Sequence, residues 1–349
     1  MGSLPKLGVP LDTFPMEAKV AETLPVGEGW QYEPKWDGFR CLAFRDGPAV
    51  ELRGKSGKSL TRYFPDVVQL LIALPTRRFV LDGELAIPLG NALSFDALQL
   101  RLHPAESRIR KLAKETPAIF ICFDMLLGPD NRSLIEASLH RRRYALEKLF
   151  AGWADAKGMF LSPCTHSHAT ARKWLSRAGT ALDGVVAKRS DESYQSGERA
   201  MLKIKRLRTA DCVVGGFRFA EKSREVGSLL LGLYDAEGRL DHVGFTSGFA
   251  NIDRAKLTAK LLRLRKPPGF TGRAPGGPSR WSTERSGEWE PLTPKLVAEV
   301  RYDHVSGDRF RHGTKFLRWR PDKNPHDCTM DQLRAEKRPA ALIRDIVKS

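Results

Sequence analysis

Glu33-Pro34-Lys35-Trp36-Asp37-Gly38-Phe39-Arg40 is the stretch from which the fold can be read. An extended run leads into a lysine, and Asp37-Gly38 then supplies a turn. A lysine attacks phosphorus only as the neutral amine, a form that burial or neighbouring cations favour. Met201-Leu202-Lys203-Ile204-Lys205 offers such cations. Alternate residues of a strand project to one face, so Lys203 and Lys205 can meet one phosphate. Singly, each signal is weak: Lys-x-Asp-Gly also makes a surface turn, and Lys-Ile-Lys a solvated strand.

Outward from Lys35, strand and helix signals alternate. Cys41 to Phe44 and Val50 to Leu52 flank Asp46-Gly47, which predicts a hairpin. Val67, Leu70, Leu71 and Leu74 keep helical spacing after Pro65, a residue suited to a first helical turn. Phe79 to Leu81 and Ala118 to Phe123 read as strands buried on both faces. Ser94 is placed to cap a helix running to Leu102, and Leu139, Leu146, Leu149 and Phe150 stripe a basic helix. Strand signals resume at Gly184 to Ala187.

The pattern changes near residue 208. Val213, Gly215, Phe217 and Phe219 alternate, and Leu229 to Tyr234 and His242 to Phe245 bracket a Glu237-Gly238 turn. A helix from Asn251 to Arg265 precedes a further alternation at Leu296, Ala298, Val300 and Tyr302. Several strands with one helix predict a small Greek-key barrel of the OB type. Residues 266–286, rich in Pro, Gly and Ser, are expected to form a mobile loop. The overall expectation is an α+β chain: a first domain over 1–207 with antiparallel-rich sheets flanked by helices, then an OB-fold domain over 208–349.

Composition narrows the function. The 349 residues are 41% hydrophobic and 28% charged, enough for a substantial core. No apolar run approaches the roughly 18 residues of a membrane span, and the N-terminus lacks the pattern of a secretion signal. Five dispersed cysteines without Cys-x-x-Cys spacing argue against a disulfide framework or zinc ribbon. A reduced, cytoplasmic, nucleoid-associated protein is expected. Net charge is +17, which attracts polyanions, nucleic acid foremost.

Gly54-Lys55-Ser56 and Gly57-Lys58-Ser59 imitate the end of a phosphate-binding P-loop. The glycine required five residues earlier is replaced by Ala49 and Leu52, so no P-loop is present. His166-Ser167-His168 has no Cys or carboxylate cluster to complete a metal site. Trp281 and Trp289 flank the predicted loop, where packing on the barrel is favoured over stacking on bases.

Order turns weak motifs into a specific series. After the Lys35 stretch come Leu81-Asp82-Gly83-Glu84-Leu85, Phe123-Asp124-Met125-Leu126, Asp183-Gly184-Val185-Val186-Ala187-Lys188 and Met201 to Lys205. Phe316-Leu317-Arg318-Trp319-Arg320-Pro321-Asp322-Lys323 comes last. The series resembles the covalent nucleotidyltransferases: DNA ligases, RNA ligases and capping enzymes. It is most similar to compact bacterial ATP-dependent DNA ligases, ligase C and the ligase domain of ligase D, and the likeness spans nearly the whole chain.

The resemblance implies an adenylation domain followed by the OB fold, and a role for each motif residue. Lys35 would take AMP from ATP as a phosphoramidate. Glu33 would accept from the adenine amino group, Arg40 and Glu84 would hold the ribose, and Phe123, at a strand end, would stack on adenine. Arg53 would bind the 5′-phosphate of the nick. Lys203 and Lys205 would grip the AMP phosphate, and Arg318, Arg320 and Lys323 would orient pyrophosphate. Glu84 and Asp183 would hold Mg²⁺ or Mn²⁺, although the usual residue at position 183 is Glu, whose longer arm reaches further. Nicked double-stranded DNA and repair proteins are the expected partners of a monomer, its domains swinging about 205–209. An RNA ligase, a GTP-using capping enzyme and a non-catalytic nucleic-acid binder are the competing readings.

Overall fold

The computed structural model describes residues 7–334 apart from 91, 154–156, 177–181, 207, 250–251, 277–287 and 304. Two compact units make up the chain, the first reaching Arg206 and the second continuing from there.

In the first unit, β1 (Ala18–Ala21), β2 (Trp30–Trp36), β3 (Phe39–Asp46) and β4 (Ala49–Gly54) lead to α1 (Pro65–Ala73) and β5 (Arg78–Ala86). A ribbon of β6 (Pro88–Leu89) and β7 (Ala92–Leu93) precedes α2 (Phe95–Arg101) and α3 (Glu106–Glu115). Then come β8 (Ile119–Leu127), α4 (Leu139–Ala151), β9 (Met159–Leu161), α5 (His168–Ser176), β10 (Leu182–Arg189) and β11 (Met201–Ile204). The local chemistry follows the sequence signals. Gly47 takes φ of 60° in the β3–β4 turn, Pro65 opens α1, and Ser94 Oγ accepts from Ala97 N at 3.2 Å. The helices α3 and α5 were not anticipated: α3 buries Ile109 and α5 Ala171, so neither shows an apolar stripe in sequence.

Two sheets result, ordered β1-β11-β10-β2 and β4-β3-β5-β8-β9. Every residue of β8 is buried, as a strand covered on both faces requires. The larger sheet packs on α1, α2 and α4 around Phe64, Phe79 and Phe120, each worth about 1.5–3 kcal/mol of burial. The smaller sheet packs on α5 through Tyr32, Val185 and Ile204.

Bulges in β8 and β10 bear on the site. Asp82 faces Asp124 and Gly83 faces Cys122, so Phe123 is an extra residue of β8, which carries another at Leu126 between the pairs Val80–Leu127 and Leu81–Met125. Leu182 faces Trp36 and Gly184 faces Lys35, so Asp183 is the extra residue of β10. Gly184 is required there: its φ is 144°, and a Cβ would lie 2.1 Å from the Ile204 carbonyl oxygen.

The second unit contains β12 (Arg208–Phe219), β13 (Val226–Tyr234), β14 (Leu240–Gly248), α6 (Arg254–Leu262), β15 (Glu290–Pro291) and β16 (Val297–Tyr302). A ribbon of β17 (Val305–Ser306) and β18 (Arg309–Phe310), then β19 (Thr314–Trp319) and α7 (Asp331–Arg334), follow. Strand β12 pairs with β13, β13 with β14, β14 with β19, β19 with β16, and β16 with β12 again. Asp253 caps α6 by accepting from Lys256 N at 3.0 Å; the expected start at Asn251 lies outside the described residues.

The loop expected from 266 is hydrogen-bonded to its neighbours over its described part. Lys266 N donates to Pro291 O at 3.0 Å, Gly272 N to Leu240 O at 3.1 Å, and His242 N to Arg273 O at 2.8 Å. Phe270 is buried in the core and meets Trp289 edge to face, 5.4 Å between ring centres. Here Pro and Gly shape a pinned segment, because buried aromatics hold it. Residues 277–286, Trp281 among them, lie outside the described residues. Among those described, no helix is long and apolar enough to cross a membrane.

Candidate active site

A cavity of about 740 Å³ opens between the two sheets of the first unit. The smaller sheet contributes Glu33 and Lys35 from β2, Val186 and Lys188 from β10, and Met201 and Lys203 from β11. The larger sheet contributes Arg40 from β3, Glu84 from β5 and Phe123 from β8. Six of the sequence-selected residues therefore share one wall system: Glu33, Lys35, Arg40, Glu84, Phe123 and Lys203.

At the inner end, Glu33 is buried, with one oxygen accepting from Gln31 Nε2 and the other 2.8 Å from Lys188 Nζ; the first bond is also 2.8 Å. An ion pair this dry keeps its charges only through such full coordination. Lys188 Nζ also lies 4.9 Å from the centre of the Phe123 ring, and the Arg40 guanidinium carbon 4.4 Å from it. Phe123 is not at a strand end, as expected, but in the middle of β8, where its bulge turns the ring into the cavity wall.

Arg40 is held by a bidentate pair to buried Asp82, both bonds at 2.6 Å. Burial works against its charge, yet Asp82 overcomes that and holds the guanidinium above its ordinary value. Tyr194 Oη donates to Asp82 Oδ2 at 2.6 Å and accepts from Met16 N at 2.9 Å, so the network also fixes a wall segment. Burial, then Asp82, drives the Tyr194 phenol well up, so it stays a donor.

At the other end, Lys35 Nζ lies 2.5 Å from Asp183 Oδ2, and Lys205 Nζ 3.3 Å from the same oxygen. The bulge at Asp183 and the register Gly184 to Lys35 bring this carboxylate to the amine. Lys203 is held below its ordinary value, by burial first and then by Lys35, Lys205 and Lys55. Only Lys203 of the pair lies within β11, because the strand ends at Ile204. Glu84 is raised to about 7 by burial, against the pull of Lys35 and Arg40.

Other expected residues sit apart from this cavity wall. Arg53 on β4 donates to Gly57 O at 2.9 Å and pairs with Glu51 at 3.0 Å, while Gly54, Lys55 and Ser56 beyond it do line the cavity. The false P-loop thus belongs to the site, and no phosphate-loop signature marked it. Arg318, Arg320 and Lys323 belong to the second unit, where Arg318 pairs with Glu299 at 2.7 Å and Arg320 with Asp211 and Asp322. His166 Nδ1 meets Trp30 O at 2.9 Å and His168 meets the Tyr32 ring edge on, so both serve packing of the small sheet. Gln31, Asp82, Lys188 and Tyr194 were missed. Lys188 closed a quoted motif and Asp82 lay inside another, so both had a signal; Gln31 and Tyr194 had none.

The arrangement is a pocket for a flat, polyanionic ligand beside a lysine amine. Residues 15–205 match the ATP dependent DNA ligase domain, and residues 222–323 the ATP dependent DNA ligase C terminal region. The chain belongs to the ATP-dependent DNA ligases, nucleotidyltransferase enzymes. It is 44% identical to DNA ligase C2 of Mycolicibacterium smegmatis, over 91% of this chain and 93% of that one. It is 31% identical to the multifunctional non-homologous end joining protein LigD of the same organism, over 86% of this chain and 37% of that protein. A Lig E DNA ligase structure, described as binding DNA with a minimal scaffold, shares the fold at TM-score 0.55 and 17% identity, over 88% of this chain and 99% of that one.

Proposed function

We propose that this ligase seals 3′-hydroxyl/5′-phosphate nicks in duplex DNA through a lysyl-AMP intermediate on Lys35. The observation that carries this is the single cavity holding the Lys35 amine, buried Glu33 and the Phe123 ring. ATP enters with adenine toward Glu33, whose acceptor-only carboxylate selects an exocyclic amine over the keto oxygen of guanine. Lys35 Nζ attacks the α-phosphorus, the bond to pyrophosphate breaks, and Asp183 Oδ2 is placed to receive the ammonium proton. Lys203 and Lys205 stabilise the charge on the AMP phosphate. AMP then passes to the 5′-phosphate, which Arg53 holds, and the 3′-hydroxyl displaces it.

Glu84 suits a divalent cation. Its half-buried carboxyl is kept at about 7, and a hard cation would favour the ionised form. Asp183 suits one less well, since its Oδ2 already serves two lysines. When bound, Mg²⁺ or Mn²⁺ supplies charge neutralisation at the phosphates.

The second unit reads as an OB-type barrel, supported by its circuit of five paired strands. Arg318, Arg320 and Lys323 orient pyrophosphate when that barrel swings in about residues 205–209. A role in DNA repair, with end-joining proteins as partners, is supported by the name of the LigD relative.

Incubation with labelled ATP or GTP, then sealing of nicked DNA or nicked RNA, tests this reading. ATP alone should label the chain, and Lys35→Ala should abolish the label while DNA binding persists. A covalent AMP adduct on Lys35→Ala would refute the assignment.

A further inference from the structure

On β2, Gln31 stands two residues before Glu33, so both side chains project from one face of the strand. Lys188 of β10 is registered opposite Gln31, and Val186 opposite Glu33. The Glu33 carboxylate is therefore bracketed. Gln31 Nε2 donates to Oε1 at 2.8 Å, and Lys188 Nζ lies 2.8 Å from Oε2. All three residues are buried, Gln31 with 2% of its surface exposed. Glu33 and Lys188 line the cavity, whereas Gln31 stands behind them and does not.

The two anchors do different work. Lys188 balances the charge, but an ammonium is a compact donor on a flexible stem and imposes little direction. Held by that contact alone, the carboxylate can turn about its last torsion, which is broad and roughly two-fold. A donor on the other oxygen fixes the plane. An ionised carboxylate only accepts, so the Gln31 amide presents its nitrogen, and the bond in turn favours the ionised form. Protonated, Glu33 would become a donor and suit a keto oxygen as well as an amine. Discrimination between such groups is strong only where the polar partner in the site is already built and aimed.

We infer that Gln31 is a specificity-determining positioning residue. By fixing Glu33 as an oriented acceptor, it makes the cavity take triphosphates whose base carries adenine's exocyclic amine and refuse those with a keto oxygen in its place. Gln31 itself never touches the nucleotide.

The inference rests on the proposal that Glu33 meets adenine, and the test separates the two. Covalent labelling by ATP and by inosine triphosphate, whose base has the keto oxygen, is measured for wild type, Gln31→Met, Glu33→Gln and the double variant. Urea unfolding serves as the control of folding. Gln31→Asn, whose amide falls short of Oε1, replaces a Met variant that does not fold. Loss of the Gln31 amide should lower the preference for ATP about tenfold, the effect of one oriented hydrogen bond to a charged group. The change should appear chiefly in the ATP concentration at half-maximal rate, with the maximal rate kept. In the Glu33→Gln background the same substitution should alter the preference by less than about twofold, because Gln31 acts through Glu33. A merely structural residue would depress labelling by both nucleotides together and leave their ratio intact. An unaltered preference in the folded Gln31 variant, or one reduced equally with and without Glu33, would overturn the inference. Failure of the adenine reading would appear instead as a Glu33→Gln protein that keeps the wild-type preference.

Discussion

Replacing Glu84 by Gln should make the protein more stable, and increasingly so as pH rises. The folded carboxyl is held at about 7, against 4.5 for a free one, because burial outweighs Lys35 and Arg40. A raised carboxyl binds its proton more tightly in the fold than in the unfolded chain. Its contribution is thus fully present below the unfolded value and is lost as pH climbs towards the folded one. At roughly 1.4 kcal/mol per pH unit, the separation amounts to about 3.5 kcal/mol. Part of the side chain meets solvent in the cavity, so an observed effect on the order of 2 kcal/mol is expected. Urea unfolding of wild type and Glu84→Gln, compared at about pH 4 and about pH 8, reads it. The variant should match wild type in acid and exceed it in base. Mg²⁺ should close the gap in base by binding the ionised wild-type carboxylate. A difference that stays flat with pH would refute the buried-carboxyl account.

Three further outcomes follow from the geometry. Lys188→Met leaves Glu33 buried without its cation and should cost about 3–5 kcal/mol in urea unfolding, much of it recovered by adding Glu33→Gln. Tyr194→Phe strips one bond from Asp82 and leaves Met16 N unmet, so a loss of about 1–3 kcal/mol and a raised KM for ATP are expected in unfolding and steady-state assays. Gly184→Ala forces a Cβ against the Ile204 carbonyl at positive φ and should lower stability by about 2 kcal/mol or more, together with the rate of Lys35 labelling.

How much of this was legible depended on the kind of signal. Glu33, Lys35, Arg40, Glu84 and Lys203 could be selected because a motif series reports residues that meet in space. Hairpin turns and helix caps, such as Gly47 and Ser94, were legible because their chemistry is local. The bulge that turns Phe123 inward was not, since nothing in Ile119 to Leu127 marks where the alternation breaks. Tyr194 escaped for another reason: it meets Asp82 across 112 positions, and a lone tyrosine carries no periodicity. At residues 266–276 Pro and Gly announce irregular backbone, while the burial of Phe270 against Trp289 has no local signal.

The two bulges bear on how this pocket can change. Phe123 and Asp183 reach their places because one strand carries a residue more than its neighbour. Removing that residue would close the local bulge and carry the adjoining stretch of strand onto the opposite face. Substitution can therefore retune the ring or the carboxylate step by step. A one-residue deletion beside either would exchange every downstream neighbour in the strand at once, so variants of this pocket with altered ligand preference should be sought among point changes, with strand length held constant.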